Sequence, residues 1–144
     1  MNLKPFKELS YFLSFDFNSQ EFLDALNNKK IREFRLISRA IFKEIVKELG
    51  ITEYKIRGEK GNFTHPVEMY FYSEHLYIDF QCYHDAIALL KEKFMFRYVE
   101  NITDYHGGRN NWMSYKFLCE NTEEAIEYFK KVLDNPKIPV ILDF

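Results

Sequence analysis

A two-layer α+β domain, a mainly antiparallel sheet with helices packed on one face and a helical segment at the N-terminus, is what this sequence predicts, on three observations. Apolar residues recur at spacings of three and four from Lys29 to Leu49; the spacing falls to two between Tyr54 and Tyr83; it returns to the helical period after Asn121. Helical elements that follow a run of strands place helices against one face of an antiparallel sheet.

Pro5, Phe6, Leu9, Tyr11, Phe12 and Leu13 predict a short first helix, and Asn18 or Ser19 is placed to cap a second that the Asn27-Asn28 pair bends or breaks. The long helix then runs from Lys29 to Leu49, with Ile31, Phe34, Ile37, Ile41, Ile45 and Leu49 on its inner side and Gly50 ending it. Tyr54 to Arg57 reads as a strand, with Gly58-Glu59-Lys60-Gly61-Asn62 as a polar loop after it. Pro66 to Tyr83 reads as a hairpin with Glu74-His75 at its tip. That tip sets Phe71 opposite Ile78 and Met69 opposite Phe80, so one face stays apolar. The same register sets Tyr72 opposite Tyr77, Tyr70 opposite Asp79 and Glu68 opposite Gln81; an odd-length loop would mix the two faces.

Asp85 to Phe94 is expected as a helix, and Met95–Val99 and Trp112–Cys119 as two further strands joined by the loop 101–111. Asn121-Thr122-Glu123-Glu124 starts a last helix, its acidic residues placed where the helix dipole favours them and Ala125, Ile126, Phe129, Val132 and Leu133 on its buried side. Pro139 to Phe144 adds a short edge strand. Residues 1–144 therefore make a single domain, with 1–50 its helical part and 51–144 a sheet with two helices.

The composition bounds the function. The 144 residues are 47% hydrophobic and 18% aromatic, too apolar for a disordered chain, and the length suits one core. Twenty basic against 22 acidic residues, a net charge of −2, give no general attraction for nucleic acid. Abundant Lys, Asn, Phe, Ile and Tyr suggest an A/T-rich coding genome, a bacterium or its phage. No signal peptide and no apolar run near the roughly 20 residues of a membrane span are visible. Cys82 and Cys119 fall in apolar segments read as strands, which favours two buried thiols in a reducing, cytoplasmic setting over a bridge. The sequons at Asn62 and Asn101 are then without consequence.

Sequence signatures of phosphate-binding loops, dinucleotide folds, zinc proteases, dithiol redox centres and serine hydrolases do not occur in the chain. His65, His75, His84 and His106 sit apart from one another, without metal-ligand spacing. No cofactor and no metal are expected.

Three features carry candidate functions. The first is the polar sheet face, with Glu68, Tyr70, Tyr72, Tyr77, Asp79 and Gln81, joined by Tyr83, Arg97 and Lys116. Clustered tyrosines suit a contact surface, since each buries a large area and keeps a hydroxyl. The alternative is that a helix or a second copy covers the rings. The second feature is the loop Asp104, Tyr105, His106, Gly107, Gly108, Arg109, Asn110 with Trp112 at its end, whose glycines allow close backbone approach. As a simple connection it would leave Trp112 anchoring the next strand. The third is a basic stripe, Arg32, Arg35, Arg39, Lys43 and Lys47, at spacings of three and four on the long helix. Lys29 to Leu49 carries seven basic and three acidic residues, net +4, against −6 for the rest. It suits a nucleic-acid backbone or an acidic protein patch, and as a solvated face it would pair with carboxylates of the same fold.

The reading expected from these features is a non-catalytic protein that binds and occludes a partner protein, as inhibitors, immunity proteins and anti-defence proteins do, using the tyrosine face and the Gly107-Gly108 loop. A nucleic-acid-binding module on the basic stripe, with tyrosines stacking on bases, is the second reading. A small-molecule enzyme with His106, Arg109, Glu68 and Asp79 in one cleft is the third.

Overall fold

The computed structural model describes residues 1–12, 29–60, 67–82, 93–102 and 110–134. In chain order these contain helix α1 (Lys4–Phe12), helix α2 (Lys29–Glu48), strands β1 (Tyr54–Lys60), β2 (Val67–Ser73), β3 (Leu76–Cys82), β4 (Lys93–Tyr98) and β5 (Asn111–Ser114), and helices α3 (Tyr115–Glu120) and α4 (Thr122–Asp134). The strands form one antiparallel sheet in the order β1-β2-β3-β4-β5. Helix α2 packs on β2, α4 packs on β3 and β4, and α1 bridges α2 and α3. The fold is the expected α+β arrangement.

The hairpin register is the one the alternation predicts. Phe71 pairs with Ile78, Met69 with Phe80, Tyr72 with Tyr77, Tyr70 with Asp79 and Glu68 with Gln81. At its tip the buried Ser73 hydroxyl donates to Leu76 O at 3.1 Å. Val99 N–H donates to His75 O at 3.0 Å, and the His75 ring stacks on Tyr98 at 5.2 Å, which ties the tip to the end of β4.

One face of the sheet and the inner sides of the helices share a core made largely of phenylalanine. Phe71 stacks on Phe42 of α2 at 4.5 Å, Phe80 meets Phe94 edge-on at 4.8 Å, and Phe96 meets Phe129 of α4 edge-on at 4.9 Å. Offset and edge-to-face pairs of this kind add about 0.5–1.5 kcal/mol each beyond the area they bury. Phe6, Leu9 and Phe12 dock α1 on the same core, Phe12 lying 5.6 Å from Phe34.

Helix α2 ends where the sequence places its stop, at Gly50, whose φ of 70° lies in the left-handed region that glycine reaches without strain. Helix α4 begins at Thr122 with Glu123 and Glu124 in its first turn. The Thr122 hydroxyl donates to Leu118 O at 2.8 Å and so caps the end of α3.

Three boundaries differ from expectation. Gly58, Glu59 and Lys60 continue β1 and pair with Met69, Glu68 and Val67. Glycine permits this because a Cβ at position 58 would stand 2.7 Å from Met69 Sδ. Lys93 and Phe94 belong to β4, where Phe94 alternates inward with Phe96; the rest of the helix expected over 85–94 lies outside the described residues. The strand expected over 112–119 ends at Ser114, and Tyr115–Glu120 is helical, so Cys119 lies on a helix. Ser114 makes the switch, its extended backbone leading into a cap in which Oγ accepts from Phe117 N–H at 3.0 Å. Ser114→Ala is expected to cost about 1 kcal/mol, read as a lowered denaturant midpoint at unchanged slope. The expected helix after Ser19 and the expected strand at 139–144 lie outside the described residues.

Candidate binding surfaces

Alternation along the strands puts Tyr70, Tyr72, Tyr77, Asp79, Met95, Arg97 and Trp112 on the sheet face opposite the helices, in the rows Tyr72-Tyr77-Arg97 and Tyr70-Asp79-Met95-Trp112. Of the two readings open for this face, an exposed contact surface and covered rings, the centre follows the second: Tyr72 is 5% exposed, Tyr77 4% and Asp79 4%. Tyr72, Tyr77 and Val99 form a second apolar cluster, with Tyr70, Met95 and Ile102 packed against it. The Tyr77 ring lies 5.0 Å from Tyr72 and 6.2 Å from Tyr70, and the Arg97 guanidinium sits over it at 4.8 Å. Arg97 also donates to Asn110 Oδ1 at 3.2 Å. Tyrosine behaves here as its ring dictates, because burying that area is favourable even where the hydroxyl marks the residue as polar.

Of the other residues expected on this surface, Tyr70 and Trp112 are half-buried and Asn110 is exposed. Lys116 is exposed and lies on α3 and not on a strand. Glu68 and Gln81 sit opposite one another in the backbone register, but their side chains lie outside the description. The loop residues Asp104, Tyr105, His106, Gly107, Gly108 and Arg109, and Tyr83, also lie outside the described residues.

Burial pushes the Tyr77 phenol well above its ordinary range, and the negative charge of Asp79 adds to it; Arg97 acts in the opposite direction. Burial likewise pushes the Cys119 thiol up to about 12, with Glu120 contributing and a backbone hydrogen bond with Ser10 opposing. Both groups therefore hold their protons in the folded state at pH values where the unfolded chain has released them. These two groups are expected to lower stability above about pH 9, by about 1.4 kcal/mol per pH unit for each group in its window. Tyr77→Phe should flatten the fall above about pH 10; an unchanged slope in urea titrations would mean that solvent reaches the hydroxyl.

The basic stripe divides in the structure. Arg32, Arg39, Lys43 and Lys47 are exposed along the outer side of α2, and none of the four makes an ion pair or hydrogen bond among the described residues. Arg35 leaves the stripe: it is half-buried, with Nε 3.6 Å from the Cβ position of Gly58 and without a hydrogen-bond partner. Leu36 takes its place among the four cations and is 60% exposed.

Beside the stripe lies α1, antiparallel to α2, with Phe12 near Phe34 and the Asn2 N–H donating to Glu44 at 3.1 Å. Lys4, Lys7, Glu8 and Tyr11 line its outer side, and Lys4 pairs with Glu8 at 3.9 Å. Between the two helices runs a groove of about 500 Å³, lined by these four residues together with Glu33, Leu36 and Ile37. Tyr11 is 67% exposed at its edge. The large apolar side chains left exposed among the described residues, Met1, Leu3, Tyr11 and Leu36, all belong to α1, the residues just before it, or α2.

Sequence reasoning found the cations and missed the groove. Leu36 stands four residues from Arg32 and three from Arg39, outside the inner series Phe34-Ile37-Ile41-Ile45, which already places it on the basic side.

Among the described residues no cluster of His, Cys, Asp and Glu is placed to hold a metal ion, and no helix is long and apolar enough to cross a membrane. No protein-family model, curated protein or solved structure matches the chain.

Proposed function

We propose that this chain is a non-catalytic binding protein that holds and occludes an acidic partner protein with the outer face of α1 and α2. The reading keeps the partner class expected from the sequence and moves its surface from the tyrosine sheet to the helices. One observation carries it: Leu36 stands exposed among Arg32, Arg39, Lys43 and Lys47, cations without a partner among the described residues, and the exposed Tyr11 lines the groove beside it. Apolar side chains ringed by charge are the composition of a protein contact, where the ring excludes water from the anchors.

A nucleic-acid partner draws support from the same four cations. It fits less well, because a phosphate backbone has no use for Leu36, and Tyr72 and Tyr77 are too buried to stack on bases. Of the residues of the enzyme reading, Asp79 is buried, and His106, Arg109 and the Glu68 side chain lie outside the described residues. A bacterial or phage source and a cytoplasmic setting belong to the proposal, supported by the composition.

The test is capture from host lysate on immobilised protein, with nuclease present and with Leu36→Glu in parallel. A protein retained by wild type after nuclease treatment and lost with Leu36→Glu is the expected result. Recovery abolished by nuclease, or unaffected by Leu36→Glu, overturns the proposal.

A further inference from the structure

The groove between α1 and α2 restricts what the partner can insert. We propose that the partner's contact element is a short amphipathic helix carrying carboxylates on its flanks, seated with its apolar side on Tyr11, Leu36 and Ile37. The proposal rests on the docking face described above and specifies its occupant.

Both walls are helices, whose N–H and C=O groups are bonded within each helix, so the groove presents side chains and no free strand edge. An extended segment pressed into it would bury backbone groups without partners. A helix satisfies its own backbone and offers only side chains in return. Two antiparallel helices also leave a furrow into which a third packs by ridge-and-groove fit. With nine residues, α1 makes that furrow about 13 Å long, room for two to three turns and apolar anchors at i, i+4 and i+7.

Charge fixes the flanks. On the α1 side stand Lys7 and Lys4, the latter already paired with Glu8 at 3.9 Å, and on the α2 side Arg32, Arg39 and Lys43, so carboxylates along both edges of an inserted helix would meet cations. Those on α2 have no competing partner within the described fold. A second copy of α2 is a poor occupant, because its own stripe would face like charge. An anionic lipid surface is disfavoured by shape: the apolar residues line a concavity between two helices, which a flat surface does not fill.

The experiment uses the full chain and labelled peptides of about 15 residues, long enough for a helix to form on binding. One has leucines on a single side and glutamates on the flanks. A second has the same composition with the leucines dispersed, and a third has lysine for glutamate. Fluorescence anisotropy should show the acidic amphipathic peptide binding at least about thirtyfold tighter than either control, gaining helical circular dichroism as it binds. Leu36→Glu and Tyr11→Ala should each remove most of that difference. Equal or absent binding of the three peptides overturns the proposal, as does stronger retention on phosphatidylserine/phosphatidylcholine vesicles than on the acidic peptide. If the peptides fail while lysate capture still depends on Leu36, the docking face stands and only its helical occupant falls. If capture is indifferent to Leu36, the face itself is wrong.

Discussion

Tyr77→Ala is expected to destabilise the domain by about 3–5 kcal/mol, lowering the melting temperature by roughly 10 °C or more. Tyr77 is 4% exposed, touches Tyr70 and Tyr72 with its ring and lies beneath the Arg97 guanidinium. Truncation would remove an aromatic ring from the centre of the second cluster and strip Arg97 of its cation–π partner. Tyr72→Ala, at 5% exposure in the same cluster, should behave alike. A rigid surface tyrosine would give within about 0.5 kcal/mol of wild type. Thermal or urea unfolding decides between the two, and a near-neutral result would return these rings to the list of contact residues.

Reversing charge on α2 should have the opposite profile. Arg39→Glu with Lys43→Glu is expected to leave stability within about 0.5 kcal/mol of wild type, since both side chains are exposed and have no partner among the described residues. The same pair should weaken binding of an acidic partner by about a hundredfold, because two attractions become two repulsions. Wild-type affinity should also fall as salt rises, and the reversed variant should lose that dependence. Titration of the captured partner at two ionic strengths checks both statements; a reversed variant that binds as tightly as wild type removes the stripe from the interface.

Much of this fold was legible from residue types alone, for reasons that can be stated. The hairpin register followed from alternation, because a one-residue slip would have sent Phe71, Ile78 and Phe80 to the wrong face. The long helix followed from the Phe34-Ile37-Ile41-Ile45 period, and α4 from acidic residues standing just ahead of an apolar stripe. What escaped were places where one residue does two jobs. Tyr115-Lys116-Phe117-Leu118-Cys119 is short, aromatic and apolar, and suits a buried strand as well as a helical turn; the Ser114 cap decided it. Gly58 signalled a loop but served close packing against Met69.

The candidate surface was half legible. Alternation places Tyr72 and Tyr77 on the face opposite the helices but leaves open whether that face is covered, because a phenol suits both settings; the ring governs, and both are buried. The cations of α2 were visible as a stripe. Their companion Tyr11 required knowing that α1 lies alongside, a tertiary relation that no periodicity within either helix contains.

Hydroxyl-radical footprinting of the free and partner-bound protein measures directly which aromatic and apolar side chains meet solvent. Tyr11 and Leu36 are expected to oxidise readily in the free protein and to be protected in the complex, with Tyr72 and Tyr77 labelled little in either state. Ready oxidation of Tyr72 and Tyr77 in the free protein, with protection by the partner and none at Tyr11 or Leu36, would contradict the proposed docking face and return the working surface to the sheet.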